Sequence, residues 1–203
     1  MRQETLLKII GLLRKDIYKG QTILEISKKL KIGYRPAYNH ITEMEKQEII
    51  IVKRIGMSKQ CFLNLKNAKC RHLLEEVDMI RQFELFKRKP ILEKLTVKLT
   101  DRFTGDIHSI ILFGSYAKGR ETKTSDIDLL FIVADLKNKN IREGIERECG
   151  SFQYSHNTKI SPLITDVVEF KKMLDAKELN VGKEAREYGM PLYGSEFFWR
   201  LIL

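Results

Sequence analysis

Apolar residues recur at helical spacing over residues 4–15 (Leu6, Ile9, Ile10, Leu13), and Lys19-Gly20 closes the run. Thr22 opens a second helical pattern. Thr22 and Glu25 form a capping box, in which each residue satisfies an orphan amide of the other. Leu24, Ile26 and Leu30 are its apolar positions, and Lys31-Ile32-Gly33 ends it, with Gly33 permitting the sharp turn. A third helix is predicted from Arg35-Pro36, because proline suits the first helical position, with Ala37, Ile41 and Met44 as its buried stripe. Residues 49–55 are rich in β-branched side chains, residues 56–59 read as a turn, and residues 60–65 return as a second strand.

Beyond this hairpin the period changes again. Residues 70–88 predict a charged helix with Leu73, Leu74, Val77, Ile80 and Phe83 on its apolar side. Pro90 interrupts it, and residues 91–103 form another helix through Leu92, Leu95 and Leu99. Residues 107–113 read as a strand running into Gly114-Ser115, a short helical turn follows at Tyr116-Ala117-Lys118, and Gly119 closes it. Residues 125–133 and 158–165 are two more strands. Asp166 and Glu169 then form a second capping box, opening a helix that carries Phe170 and Leu174.

The longest apolar runs are far too short for a bilayer, and residues 1–4 lead straight into a helix without a signal-peptide pattern, so no membrane partner is expected. Three cysteines, with no CxxC pair, speak against a disulfide framework or zinc site and for a reduced, cytoplasmic setting. Charge divides the chain more sharply. Residues 1–70 hold 15 Lys+Arg against 6 Asp+Glu, a surplus of 9, whereas residues 71–203 hold 22 against 21. A compact module this basic suits a polyanion such as nucleic acid.

Three helices and a hairpin, with ISKKLKIGYRPAYNHITEMEKQEII as the core, resemble a winged helix-turn-helix domain over residues 1–66. The resemblance implies double-stranded DNA as partner, with the third helix in the major groove and the hairpin on the backbone or minor groove. Arg35, Tyr38, Asn39 and Thr42 lie off the buried stripe of that helix, and Lys53, Arg54 and Lys59 decorate the hairpin. Gln47-Glu48 stands where many members of the family have glycine before the first wing strand. Protein-binding winged helices form the alternative; the basic surplus favours DNA. The helix at residues 70–88 reads as a homodimer seam or as a spacer.

The candidate chemistry lies in GSYAKGRETKTSDIDLLFIV, residues 114–133. Gly114 lets the backbone approach a ligand, Ser115 can cap the short helical turn, and its amides form a phosphate cradle. Lys118, Arg120, Lys123 and Ser125 surround it. Asp126 and Asp128, two apart in a strand, project to one side, while Ile127 and Leu129 face the other. Adjacent carboxylates repel unless a cation lies between them, so Mg²⁺ or Mn²⁺ is the expected cofactor, held by Asp126 and Asp128. Metal plus phosphate cradle describes nucleotidyl transfer.

Gly114-Ser115, ten residues, then Asp126-x-Asp128 resembles the signature of the DNA polymerase β-like nucleotidyltransferase superfamily, and the short chain is similar to its minimal branch. That resemblance implies an α+β protein. Taken with the winged-helix resemblance, the expected layout is a winged helix domain at residues 1–66, a helical linker at residues 67–90, and a small mixed β-sheet with flanking helices at residues 91–203. Asp126 and Asp128 would be catalytic, and Gly114, Ser115, Lys118, Arg120 and Ser125 would bind the nucleotide, an NTP with ATP favoured. Active members carry a third acid on a neighbouring strand, but here TKISPLIT has Ser161 near that place. Asp166 is better explained as a helix cap. Three readings follow: a transferase acting on a hydroxyl of a protein or small molecule, a transcriptional regulator sensing nucleotide, and an antitoxin with a toxin partner.

Overall fold

The structure is a computed structural model that describes residues 3–15, 17–122, 124–156 and 158–202; Lys123 lies outside the described residues. Two compact units divide the chain, one up to Met79 and the other Ile80–Ile202.

The first unit contains α1 (Gln3–Arg14), β1 (Gln21–Thr22), α2 (Ile23–Leu30), α3 (Tyr34–Lys46), β2 (Ile50–Ile55), β3 (Ser58–Leu63) and the start of α4 (Ala68–Arg88). Its sheet has the order β1-β3-β2 and is antiparallel throughout. The capping box forms as expected: Glu25 N donates to Thr22 Oγ1 at 3.2 Å, and Thr22 N donates to Glu25 Oε2 at 2.7 Å. Ile9, Ile10, Leu13, Ile26, Ala37, Ile41, Met44 and Ile49 make the core, while Leu24 is exposed. The left-handed residue after α2 is Lys31, with φ 54°, whereas Gly33 keeps φ −61° as the residue preceding α3, so the turn does not use the glycine's freedom. Glu48 likewise takes φ 54° ahead of β2. A glutamate there holds the conformation that a glycine would adopt more freely. An ion pair between Arg14 Nε and Asp78 Oδ1 at 2.6 Å, with both side chains almost fully buried, fastens α1 to α4. Along α4, Leu73, Leu74 and Val77 are buried, but Ile80 and Phe83 are 47% and 62% exposed, which shortens the expected apolar side.

The second unit runs through α5 (Pro90–Arg102), β4 (Ile107–Phe113), α6 (Gly114–Ala117), β5 (Ile127–Val133), α7 (Lys139–His156), β6 (Ile160–Asp166), α8 (Val167–Asp175), α9 (Val181–Tyr188), β7 (Met190–Tyr193) and α10 (Ser195–Leu201). The strands form a mixed sheet of order β6-β5-β4-β7. β5 and β6 are parallel, joined by the α7 crossover, and the other pairs are antiparallel. Ile127, Leu129, Phe131 and Val133 pack with Leu92, Leu95, Leu99, Ile141 and Ile145. Leu130 and Ile132, on the alternate face, are also fully buried, and α8 contacts β5 while α9 and α10 contact β4. A sheet covered on both faces explains the continuous apolar run at residues 129–133. Buried Glu148 on α7 meets Lys98 and Arg102 of α5, which hold its carboxyl below the usual range. Cys61, Cys70 and Cys149 are free and buried, and burial pushes each thiol up to about 12, leaving them unreactive. No helix among the described residues is long and apolar enough to cross a membrane.

Candidate functional site

The two carboxylates stand where the apolar run of β5 begins. The strand was expected from Ser125 but starts at Ile127, so Asp126 precedes it and Asp128 is its second residue. Asp128 pairs with Phe113 on β4, the residue before Gly114. At Gly114 the backbone turns with φ +68°, and a Cβ there would lie 2.0 Å from Asp128 Oδ2. The residue is glycine because the Asp128 carboxylate occupies the space a side chain would need, and because the turn is left-handed. Asp128 is only partly accessible. Burial raises its carboxyl above the usual range; the charges of Asp126 and Glu184 add to the rise, and Lys159 opposes it.

β6 supplies the other wall. Its parallel register places Ser161 beside Asp128, and Ile127 N donates to the Lys159 carbonyl at 2.8 Å. Ser161 Oγ donates to Asp126 Oδ2 at 3.4 Å, and the Lys159 ammonium makes an ion pair with the same oxygen. Thus the place of the expected third acid holds a hydroxyl, with a cation two residues before it. Asp166 pairs with Val133 at the far end of β6 and accepts from Glu169 N at 2.8 Å, capping α8. It lies roughly 16 Å along the strand from Ser161, at about 3.3 Å per residue, so it stays a cap.

Other expected residues fall around this pair in different ways. Ser115 does not cap α6; Phe113 is the residue before the helix, and no side-chain cap bond is made. Arg120 N donates to the Ser115 carbonyl at 3.0 Å, and the Arg120 side chain is exposed beside the loop. Ser125 Oγ accepts from Thr122 N at 2.8 Å, which folds the loop onto itself just before Asp126. Lys118 pairs with Glu184 of α9 at 2.6 Å and lies 5.1 Å from the centroid of the Tyr188 ring. Sequence reading missed Lys159 and Glu184. Nothing local marks either, because each reaches the site through sheet register or helix packing.

Asp126 and Asp128 offer hard oxygen donors, and among the described residues no group of three or more His, Cys, Asp or Glu could hold a metal ion. Two carboxylates fit Mg²⁺, which is commonly held by one or two carboxylates together with substrate phosphates and water.

In the first unit, Arg35, Tyr38 and Asn39 are exposed on α3 and Thr42 is half-buried. Lys53 and Arg54 are exposed on β2, and Lys59 of β3 faces Arg54 in the strand register. Tyr34 stacks on Tyr38 with ring centroids 6.4 Å apart, a neighbour that sequence reading did not single out. Both tyrosines, with Thr22, Leu24, Ser58 and Lys59, line a groove of about 450 Å³.

Residues 92–188 match the family model for the nucleotidyltransferase domain. Two relatives come from Methanocaldococcus jannaschii. The protein named "Putative protein adenylyltransferase MJ1305" is 38% identical over 78 residues, covering 37% of this chain and 53% of that protein, so the chain spans about half of its length. The one named "Putative protein adenylyltransferase MJ0141" is 28% identical over 117 residues, covering 58% of this chain and 98% of that protein. Among solved structures, a crystal structure of a toxin-antitoxin with AMP-PNP aligns at 20% identity and a TM-score of 0.36, over 54% of this chain and 83% of that one. The segment matched by the family model lies within the second unit.

Because the folded-state value of Asp128 is raised, its contribution to stability is full at acid pH and is lost as pH rises through that value. Asp128→Asn is therefore expected to raise the Tm of chelator-treated protein at neutral pH. The gain should shrink as pH falls into the ordinary carboxylate range, read by thermal unfolding across that interval.

Proposed function

We propose that this protein transfers a nucleoside monophosphate from an NTP, ATP being favoured, to a hydroxyl group, and that its N-terminal unit is a winged helix that binds double-stranded DNA. The observation that carries the transferase reading is the Asp126–Asp128 pair, with Asp128 packed against the left-handed turn at Gly114, inside the matched segment. The names of the two relatives favour adenylyl transfer to a protein.

In this reading the acceptor oxygen bonds to the α-phosphorus while the bond to the bridging oxygen of the β-phosphate breaks, releasing pyrophosphate; the hydroxyl proton passes to solvent. A divalent ion, when bound, neutralises the triphosphate and the charge that develops on the leaving group. Asp126 and Asp128 would hold it. The turn after Gly114 brings backbone close to that point, and Arg120, exposed on the loop, is free to meet phosphate oxygens. Lys118 starts in an ion pair with Glu184, so its contact with phosphate would require exchange of that partner. Transfer depends on positioning and charge neutralisation.

A second reading is favoured by Lys159 and Ser161 standing where an acid is expected. Without that acid the second unit would bind nucleotide as a sensor and turn over slowly. Incubation with α-labelled ATP, Mg²⁺ and a lysate of protein acceptors separates the two. Transfer predicts labelled product that is lost, by roughly a hundred-fold or more, in Asp126→Ala and Asp128→Ala, on the scale of removing charge-stabilising groups. Label that survives both substitutions would refute the assigned site; nucleotide binding without label would leave the sensor.

For the N-terminal unit, the basic surplus of residues 1–70 and the exposed Arg35, Asn39, Lys53, Arg54 and Lys59 support a DNA face. If Lys53 and Arg54 meet phosphates, replacing both with Ala should flatten the log–log salt dependence of duplex affinity by about two units, about one per contact. An unchanged slope would remove them from the interface.

A further inference from the structure

Lys159 and Ser161 lie two apart at the start of β6, on the side that meets Asp126, and β6 runs parallel to β5 with Ser161 beside Asp128. One carboxylate oxygen, Oδ2 of Asp126, receives both the Lys159 ammonium and the Ser161 hydroxyl. The lysine is not a stray surface cation. Its carbonyl accepts from Ile127 N at 2.8 Å, which fixes its backbone beside β5, and its charge also acts on Asp128. Two carboxylates with one ammonium between strands leave less negative charge than the carboxylates alone. Any divalent ion that uses Asp126 Oδ2 must take that oxygen from Lys159.

We propose that Lys159 is a positioning residue that competes with the divalent ion for Asp126, so that the site is held ready by its own lysine and yields the carboxylate only when metal arrives with the triphosphate. Building on the nucleotide-site reading above, this names a control on metal loading. The side chain is 62% exposed and long, so it can leave Asp126 and follow the phosphates without disturbing the strand. Glu184 and Lys118 form a second carboxylate–ammonium pair at 2.6 Å, and the charge of Glu184 acts on Asp128.

The test uses Mn²⁺ alone as probe, with the free ion counted by electron paramagnetic resonance in titrations of the full chain. Lys159→Met keeps the length of the side chain and removes its charge. It is expected to tighten Mn²⁺ binding by about two- to five-fold, the range of an exposed ion pair. Lys159→Arg, which keeps the charge, should stay near the wild-type value. In an Asp126→Asn background the same Lys159→Met change should give a clearly smaller gain, the part that acts through Asp128, which separates competition for Asp126 from a general loss of positive charge. Unchanged or weaker Mn²⁺ binding in Lys159→Met overturns the proposal, as does an equal gain in the Asp126→Asn background. Failure of ATP to bind would count against the transferase reading and leave this one standing.

Discussion

The second unit is arranged around one close approach: the Asp128 carboxylate lies against the backbone of Gly114, where even a methyl group would collide with it. β4 and β5 are paired so that Phe113 faces Asp128, and the chain must then turn sharply with a positive φ to escape the strand. Only glycine meets both demands at low cost. The apolar run beyond Asp128 is buried on both faces, so the carboxylate cannot retreat into the sheet, and its pKa rises with burial and with Asp126 and Glu184 nearby. Stability is given up here for a charge-dense corner. Such a corner has a physical use when a cation and a polyphosphate complete it.

Much of this was legible because the relevant spacing is local. Gly114-Ser115 and Asp126-Ile127-Asp128 flank one strand–turn–strand unit, and the alternation of Ile127 and Leu129 with the carboxylates shows that Asp126 and Asp128 share the opposite face. Asp166 was also readable as a cap, since its partner Glu169 is three residues on. The lysine that reaches Asp126 was not readable. Lys159 is 33 residues away, and only the parallel register of β5 and β6 brings it there. Glu184 arrives by the packing of α9 against α6 and β4, which no period in the sequence encodes. The two-residue β1 is too short to show alternation. Ser115 misled because a cap needs the residue before the helix, and Gly114 is already helical.

The two units also divide the electrostatic labour. The basic surplus lies almost wholly in residues 1–70, whereas around Asp128 the neighbouring charges are held in two ion pairs, Lys159 with Asp126 and Lys118 with Glu184. A free polyanion would find a field in the first unit and a set of exchangeable ion pairs in the second. Exchange of partners, rather than a standing positive pocket, is how the second unit would admit a charged ligand. Long lysine side chains suit this, because they can move several ångströms without backbone change.

The most direct test of this account leaves every charge in place and moves only the carboxylate. Calorimetric titration of ATP in Mg²⁺ should show metal-dependent binding to the wild-type chain, and Gly114→Ala should weaken it roughly ten-fold or more, with the circular dichroism of the folded protein retained, because strain of this kind is on the order of 1–3 kcal/mol. Binding of ATP and Mg²⁺ to Gly114→Ala with wild-type affinity would contradict the claim that the contact between Gly114 and Asp128 builds the nucleotide site.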